Sequence, residues 1–366
     1  MVTWKQMPVV YKALRPIHSD IPENVIGIRG ILYDISGFKH PGGNVFTQSA
    51  LGTDATSLFE THHIHIDKAS KMLATLPIKG TYTRKLATNF DKYSDLRSLI
   101  SPMYESKRTI CVEAWLCFAA AIFIHILQCV TSFNLIIISA VVSTVAGGYG
   151  HNAVHVMSPE AILLDWNGLS AYEWLHEHIM SHHMYTNTDN DHDAISMEPF
   201  IRWLPHRPQR LLDSILTKHI IYAVGEIIVA IQGLFIHRTR WQLQNPNVPL
   251  WLKLAPFIFI LRTTTLIYFC GIFTTVCTYS LASYIFSYLA HLNHCPEYLP
   301  KTDDFVEQQI SSTRDIHNYF GLPGWALLFL DRQVLHHLFP TADQLKYGKI
   351  EDIIKLKLSE ISLSSK

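Results

Sequence analysis

Residues 176–183 read HEHIMSHH, which places four histidines in eight positions. The spacing with chemical meaning is His178, His182 and His183, an HxxxHH pattern. On an α-helix i and i+4 share a face, so His178 and His182 can grip one ion while His183 reaches toward another. That geometry suits two metals rather than one. The pattern recurs at HNAVH, where His151 and His155 are again i, i+4, and at QVLHH, with Gln333, His336 and His337. His294, in LNH, adds an eighth histidine. Neutral imidazole favours iron, copper, zinc or nickel over magnesium or calcium. A zinc hydrolase fits poorly, because the chain has no HExxH. His125, His219 and His237 lack partners at ligand spacing and read as packing or interface residues. His176 is one turn out of register with its cluster, and His192 reads as supporting or solvated. Asn152, Asn187, Asp189, Asp193 and Asp315 lie near the clusters in sequence and are candidates to hold ligand tautomers. Trp174 and Trp203 flank the second cluster.

These residues need scaffolding, and the sequence offers long apolar stretches. Thr109 to Val130 and Phe133 to Ala146 form a pair joined by a short uncharged tip, each near the roughly 20 residues that cross a bilayer. A second block, Leu252 to Leu289, has Arg262 as its only charge after Lys253 and is long enough for two spans. Between them, Arg210 to Ile236 carries Lys218, His219 and Glu226 with arginines at both ends, which reads as an interfacial or capping helix. All eight histidines then fall just outside a span, on one side of the membrane. The 366 residues carry 30 basic and 30 acidic side chains, so no polyanionic partner such as nucleic acid is implied. Six cysteines without CxxC pairing read as reduced thiols. Met1 to Asp20 holds no apolar run, so no cleaved signal peptide is expected and the N-terminus stays in the cytosol.

Ahead of the apolar part lies a polar module, about residues 20–83, punctuated by Gly27, Gly30, Gly37, Gly42, Gly43 and Gly52, with VIGIRGILYDI alternating as a strand should. It is expected to be a compact mixed α/β unit. In FKHPGG, proline stiffens the turn and the glycines permit close approach, so His40 projects from a fixed loop as an axial ligand must. DATSLFETHH supplies His62 and His63 as a second ligand at the end of a short helix.

HPGG followed by LGTDATSLFETHH resembles the cytochrome b5 family over about residues 21–83. The resemblance implies haem b held by His40 and a second histidine. His63, nine residues after Asp54, matches the offset of desaturase-fused members and is preferred to His62. HNAVH, HIMSHH and QVLHH together resemble the membrane fatty acid desaturases and related hydroxylases over about residues 109–345. Glutamine opening the third cluster, with a fused cytochrome b5, is similar to the front-end desaturases and their sphingolipid-base relatives; QVLHHLFPTAD and LNHCPE fit the likeness. Asn152, where many front-end members have aspartate, and HxxxHH, where many have HxxHH, depart from that pattern and bear on regioselectivity.

The resemblance implies a small α+β haem domain followed by an all-α integral membrane domain of about four transmembrane helices with a cytosolic histidine-rich cap. The expected division is 20–83 haem domain, 84–108 linker, 109–345 membrane domain and 346–366 tail. It implies two iron ions held by His151, His155, His178, His182, His183, His294, His336 and His337, with Gln333 ligating or orienting a ligand. It also implies a lipid substrate (an acyl chain on phospholipid or coenzyme A, or a sphingoid base), O2, a cytochrome b5 reductase and residence in the endoplasmic reticulum membrane. An unactivated methylene offers no acid, electrophile or leaving group, so acid-base or nucleophilic catalysis cannot open it. Dioxygen, electrons and a metal centre can. A hydroxylase on the same platform, and a membrane haem carrier whose metal site is inactive, remain the alternatives.

Overall fold

The computed structural model describes residues 21–84, 89–104, 111–131, 135–195, 198, 202–204, 206–208, 213–235, 242–245, 248–294 and 302–364. The expectations for Met1 to Asp20, His237 and Cys295, and part of the linker, lie outside these residues.

The N-terminal module is built on a three-stranded antiparallel sheet in the order β1 (Ile26–Ile28), β2 (Ile31–Tyr33), β3 (Ile78–Thr81). The β1–β2 turn is Arg29-Gly30 with φ of 53° and 81°, and two residues at positive φ give the turn whose twist matches paired strands. Arg29 is held there by bonds from its amide to Thr56 Oγ1 (2.8 Å) and from its side chain to Glu60 (2.6 Å). Three short helices, α1 (Val45–Ser49), α2 (Thr56–His62) and α3 (Ile66–Leu73), close the module. Its core is Ile26, Ile28, Tyr33, Ile35, Leu58, Phe59 and Leu73.

The rest of the described chain is mostly helical. Part of the expected linker is helix α4 (Asp91–Ile100), whose Tyr93, Leu96 and Ile100 are wholly buried. They pack with Phe305, Leu338, Phe339, Tyr347 and Ile354, so α4 and the C-terminal residues share one core.

Helices α5 (Val112–Thr131) and α6 (Ile136–Val154) pack together. Helix α7 (Ile215–Phe235) lies against α8 (Leu250–His294), with Ser283 bonded to the Tyr222 carbonyl (2.6 Å) and the Glu226 amide (3.2 Å). Helix α8 is two helices, 250–270 and 272–294, joined at Gly271 (φ 84°, ψ 164°). Thr263 Oγ1 bonds the Tyr279 hydroxyl at 2.9 Å, whereas a straight helix would hold residues sixteen apart at about 24 Å. The chain therefore folds back at Gly271. Val112–Thr131 and Leu250–His294 are long and apolar enough to cross a membrane.

The last turns of α6 run through GGYGH, where the backbone of neighbouring segments comes very close. A Cβ on Gly150 would lie 2.6 Å from the Leu164 amide nitrogen, and one on Gly148 2.9 Å from Leu328 Cα. Only glycine lets α6 seat against these segments and carry His151 inward. Gly150→Ala is expected to destabilise the protein by about 1–3 kcal/mol, the usual cost of overpacking, read as a lowered Tm in detergent; an unchanged Tm would mean the contact relaxes freely.

Candidate metal and haem sites

The HEHIMSHH segment is not an α-helix. Leu175–His182 is a π-helix, in which i and i+5 align rather than i and i+4. His178 and His183 therefore converge, Nε2 to Nε2, at 3.0 Å, so the i, i+4 pairing expected of this segment does not describe it fully. His178 Nε2 is also 2.7 Å from His151 Nε2.

Two groups form. His151, His155, His178 and His336 present ring nitrogens within 4.8 Å of one another, as do His182, His294 and His337. A third overlapping set joins His178, His182 and Asp193. The rings of His183 and His337 stack at 4.1 Å, and those of His183 and His155 lie 4.5 Å apart, so His183 stands between the two groups. Adjacent residues His336 and His337 are split, one to each group. Gln333 bonds the Nε2 of His294 through its amide nitrogen (2.8 Å) and accepts from Asn293 (3.2 Å).

The donor set fits metal. Two imidazole nitrogens about 2.1 Å from one ion stand roughly 3.0–3.4 Å apart, and His178–His183 and His182–His294 are spaced at 3.0 and 3.3 Å. The far nitrogens are tied down as ligand histidines require. His182 Nδ1 bonds the fully buried Asp191 carboxylate at 2.9 Å, and Asp191 in turn accepts from the Asn187 and Ala194 amides. His337 Nδ1 donates to Gln309 Oε1 at 2.8 Å, leaving its buried Nε2 without a protein partner among the described residues. Burial and the neighbouring imidazoles hold His183 and His337 well below the ordinary imidazole range, so both are neutral with lone pairs available. His182 differs: burial opposes its protonation, but Asp191 outweighs that and its pKa is raised.

Asp191 and Gln309 are functional candidates that sequence reasoning did not pick out. Asp191 sat in an acidic run, TNTDNDHD, from which Asp189 and Asp193 were singled out; Asp189 pairs instead with Arg207 and His206. Asn187 bonds the backbone carbonyls of His294 and Ser312, and Asp315 accepts the Val334 amide (2.9 Å). Asn152 bonds the Gly148 carbonyl. His176 is buried against the Tyr172 carbonyl (2.9 Å), in neither group, and His125 bonds Thr265 (2.9 Å). Asp191→Asn keeps the volume but removes the charge behind His182, and a roughly 10–100-fold loss of iron affinity is expected, checked by chelator competition. Unchanged affinity would show that His182 needs no such support.

Beside the clusters lies a cavity of about 200 Å3, walled by Leu169, Trp174, Ile221, Phe286, Ala290 and Leu330 and open to His178, His182 and His294. Trp203, Tyr222, Glu226 and His291 also line it.

In the N-terminal module, a second cavity of about 240 Å3 is lined by Ile28, Phe46, Leu58, Phe59 and Leu73, and by His40 and His63. The two imidazoles face each other with ring centres 5.7 Å apart, close to the roughly 6 Å that two axial ligands of one iron require. His63 Nδ1 donates to the Phe59 carbonyl (2.9 Å), leaving Nε2 for metal. The Gly42 amide bonds His40 Nδ1 at 3.0 Å, and a Cβ there would crowd that ring at 3.1 Å, which is why the second half of HPGG is glycine. Burial lowers the pKa of both histidines, keeping them neutral. His62 also lines the cavity, at its His155 side, with ring centres 6.4 Å apart.

The module is fastened to the helical part. Buried Glu60 bonds Arg29 (2.6 Å) and Arg97 of α4 (2.7 Å), and the Tyr185 hydroxyl donates to the Asp54 carbonyl (3.3 Å). His155, Val156 and Thr341 form part of the wall of the haem-module cavity.

Comparison with known proteins agrees with this layout. The family model "Fatty acid desaturase" matches residues 113–364, and "Cytochrome b5-like Heme/Steroid binding domain" matches 18–83. The chain is 26% identical to a "Probable Delta(5) fatty acid desaturase C" of Dictyostelium discoideum, over 92% of this chain and 86% of that protein. It is 23% identical to an "Acyl-lipid (8-3)-desaturase" of Mortierella alpina, over 98% and 91%. A "Cytochrome b5-related protein" of Drosophila melanogaster is 24% identical over 88% and 80%. No solved structure matches.

Proposed function

The chain belongs to the fatty acid desaturase family and carries a cytochrome b5-like domain ahead of the desaturase region, and from that premise we propose an O2-dependent lipid desaturase whose electron donor is built into the same polypeptide. The observation that carries the reading is the convergence of seven histidines from four separated segments into two adjoining groups.

In this reading His151, His155, His178 and His336 would hold one iron and His182, His294 and His337 the other, with His183 between them and Gln333 orienting His294. When bound, the two irons with dioxygen supply the oxidising power to take two hydrogens from an unactivated methylene pair. The chain's own residues do the rest. Asp191 and Gln309 hold the rings of His182 and His337 in the tautomer that offers Nε2. The apolar wall of Trp174, Phe286 and Leu330 receives an acyl chain and excludes water from beside the histidines. His40 and His63 would hold haem b, whose chemistry when bound is one-electron carriage from a cytochrome b5 reductase, and covalent linkage of the module to the desaturase region raises the effective concentration of that encounter.

Four spans follow from α5, α6 and the two arms of α8, with α7 as a helix flanking the second pair. The histidine groups sit at the ends of α6 and α8, so they and the haem domain share one face, assigned to the cytosolic side of the endoplasmic reticulum. The boundaries proposed are 20–83 for the haem domain and 109–345 for the membrane domain, with 84–108 and 346–366 joining them.

The test is lipid mass spectrometry of yeast expressing the wild-type chain or His182→Ala with a panel of fatty acids. A species two hydrogens lighter, absent from the variant, is expected. A species heavier by one oxygen would make the protein a hydroxylase; no new species despite an intact haem spectrum would favour an electron carrier.

A further inference from the structure

The doublet His62-His63 raises a question that haem binding alone leaves unanswered: one of the two suffices as an axial ligand. The structure separates them. Helix α2 ends at His62, and His63 leaves it with φ −121° and ψ 82°, so the two rings diverge. His63 turns into the cavity opposite His40. His62 packs on Phe46 (5.7 Å between ring centres) and then on His155 (6.4 Å).

His155 belongs to the histidine group formed with His151, His178 and His336. It is also, with His62, part of the wall of the haem-module cavity. One side chain thus stands at the boundary of both sites, and His62 fills the gap on the haem side. The contact is held in register by the Glu60–Arg97 ion pair and the Tyr185–Asp54 bond on either flank.

We propose that His62 is the bridge by which an electron leaves the haem cavity for the metal centre, passing His62 and then His155. The step is a single electron transfer: ferrous haem iron is oxidised to ferric, one ferric ion of the histidine cluster is reduced to ferrous, and no bond or proton moves. The desaturase reading enters only through the identity of the acceptor. His62 lies on the path between the two sites, while His63 is the one of the pair set opposite His40.

The experiment uses the full-length, haem- and iron-loaded protein in detergent, without lipid and without oxygen. A flash with a flavin photoreductant puts one electron on the haem, and the decay of the ferrous haem absorbance then reports transfer to ferric iron. Iron-depleted protein, retaining haem, sets the baseline. His62→Leu is expected to keep the two-histidine haem spectrum and the non-haem iron content while slowing the iron-dependent decay roughly tenfold, the scale on which neighbours of ligands act. His62→Phe, which keeps a ring in the gap and serves if the leucine variant misfolds, is expected to restore most of the rate.

An iron-dependent decay as fast in His62→Leu as in wild type overturns the proposal. So does loss of the two-histidine haem spectrum in that variant, which would make His62 the axial ligand. Because no lipid is present, this transfer is read independently of the yeast lipid assay: a chain that transfers the electron here yet makes no unsaturated product there contradicts the desaturase reading and leaves the bridge standing.

Discussion

His178→Ala is expected to strip the non-haem iron and abolish product formation while the haem spectrum stays unchanged. His178 Nε2 is 2.7 Å from His151 and 3.0 Å from His183, and its ring stacks on His182 at 5.1 Å. It is the one histidine placed in both the His151 group and the set with His182 and Asp193. Removing an outer supporter such as Asp191 weakens a site by about 10–100-fold; removing the shared nitrogen takes a donor from the middle of the array and leaves closely packed imidazoles without the ion that reconciles them. Elemental analysis should find iron reduced to the amount bound in haem, and lipid analysis should find no product. Full iron retention would refute the assignment of these histidines as ligands.

His63→Ala should produce the complementary phenotype. Its ring lies opposite His40 across an apolar cavity, and alanine leaves His40 without that partner. Haem is expected to be lost or to change from a six-coordinate to a five-coordinate absorption spectrum, with the non-haem iron intact. Product formation supported by a reductase should fall below detection, because no residue of the chain replaces a one-electron carrier. Retention of the six-coordinate spectrum would transfer the ligand role to His62, the choice that sequence alone left open. The two variants divide the iron between two sites: one removes it from the histidine clusters, the other from haem.

Much of this was legible in the residues. HPGG and the DATSLFETHH helix located the haem module, and alternation in VIGIRGILY marked its hairpin. Seven of the histidines were found by spacing and His294 by its place at the end of an apolar stretch, and the structure brings them together. Their pairing was not legible, because α-helical spacing does not describe a segment that widens into a π-helix. Gln309 carried no signal at all: it lies 28 residues before His337 and meets it only through the packing of the C-terminal helices. The Gly271 reversal was readable only as excess length, since a lone glycine in an apolar run also occurs inside straight helices. Tyr93, Leu96 and Ile100 looked like part of a charged linker until their partners, far along the chain, surrounded them.

The shared wall at His155 has a consequence for how the protein matures. A side chain that lines the haem cavity and belongs to a histidine group cannot be ordered by one prosthetic group without altering the surface offered to the other. Linkage requires that whatever factor haem contributes to iron affinity, iron returns to haem affinity. The two loading events are then one assembly process, and a cell's supply of either group changes how firmly the finished protein holds the other.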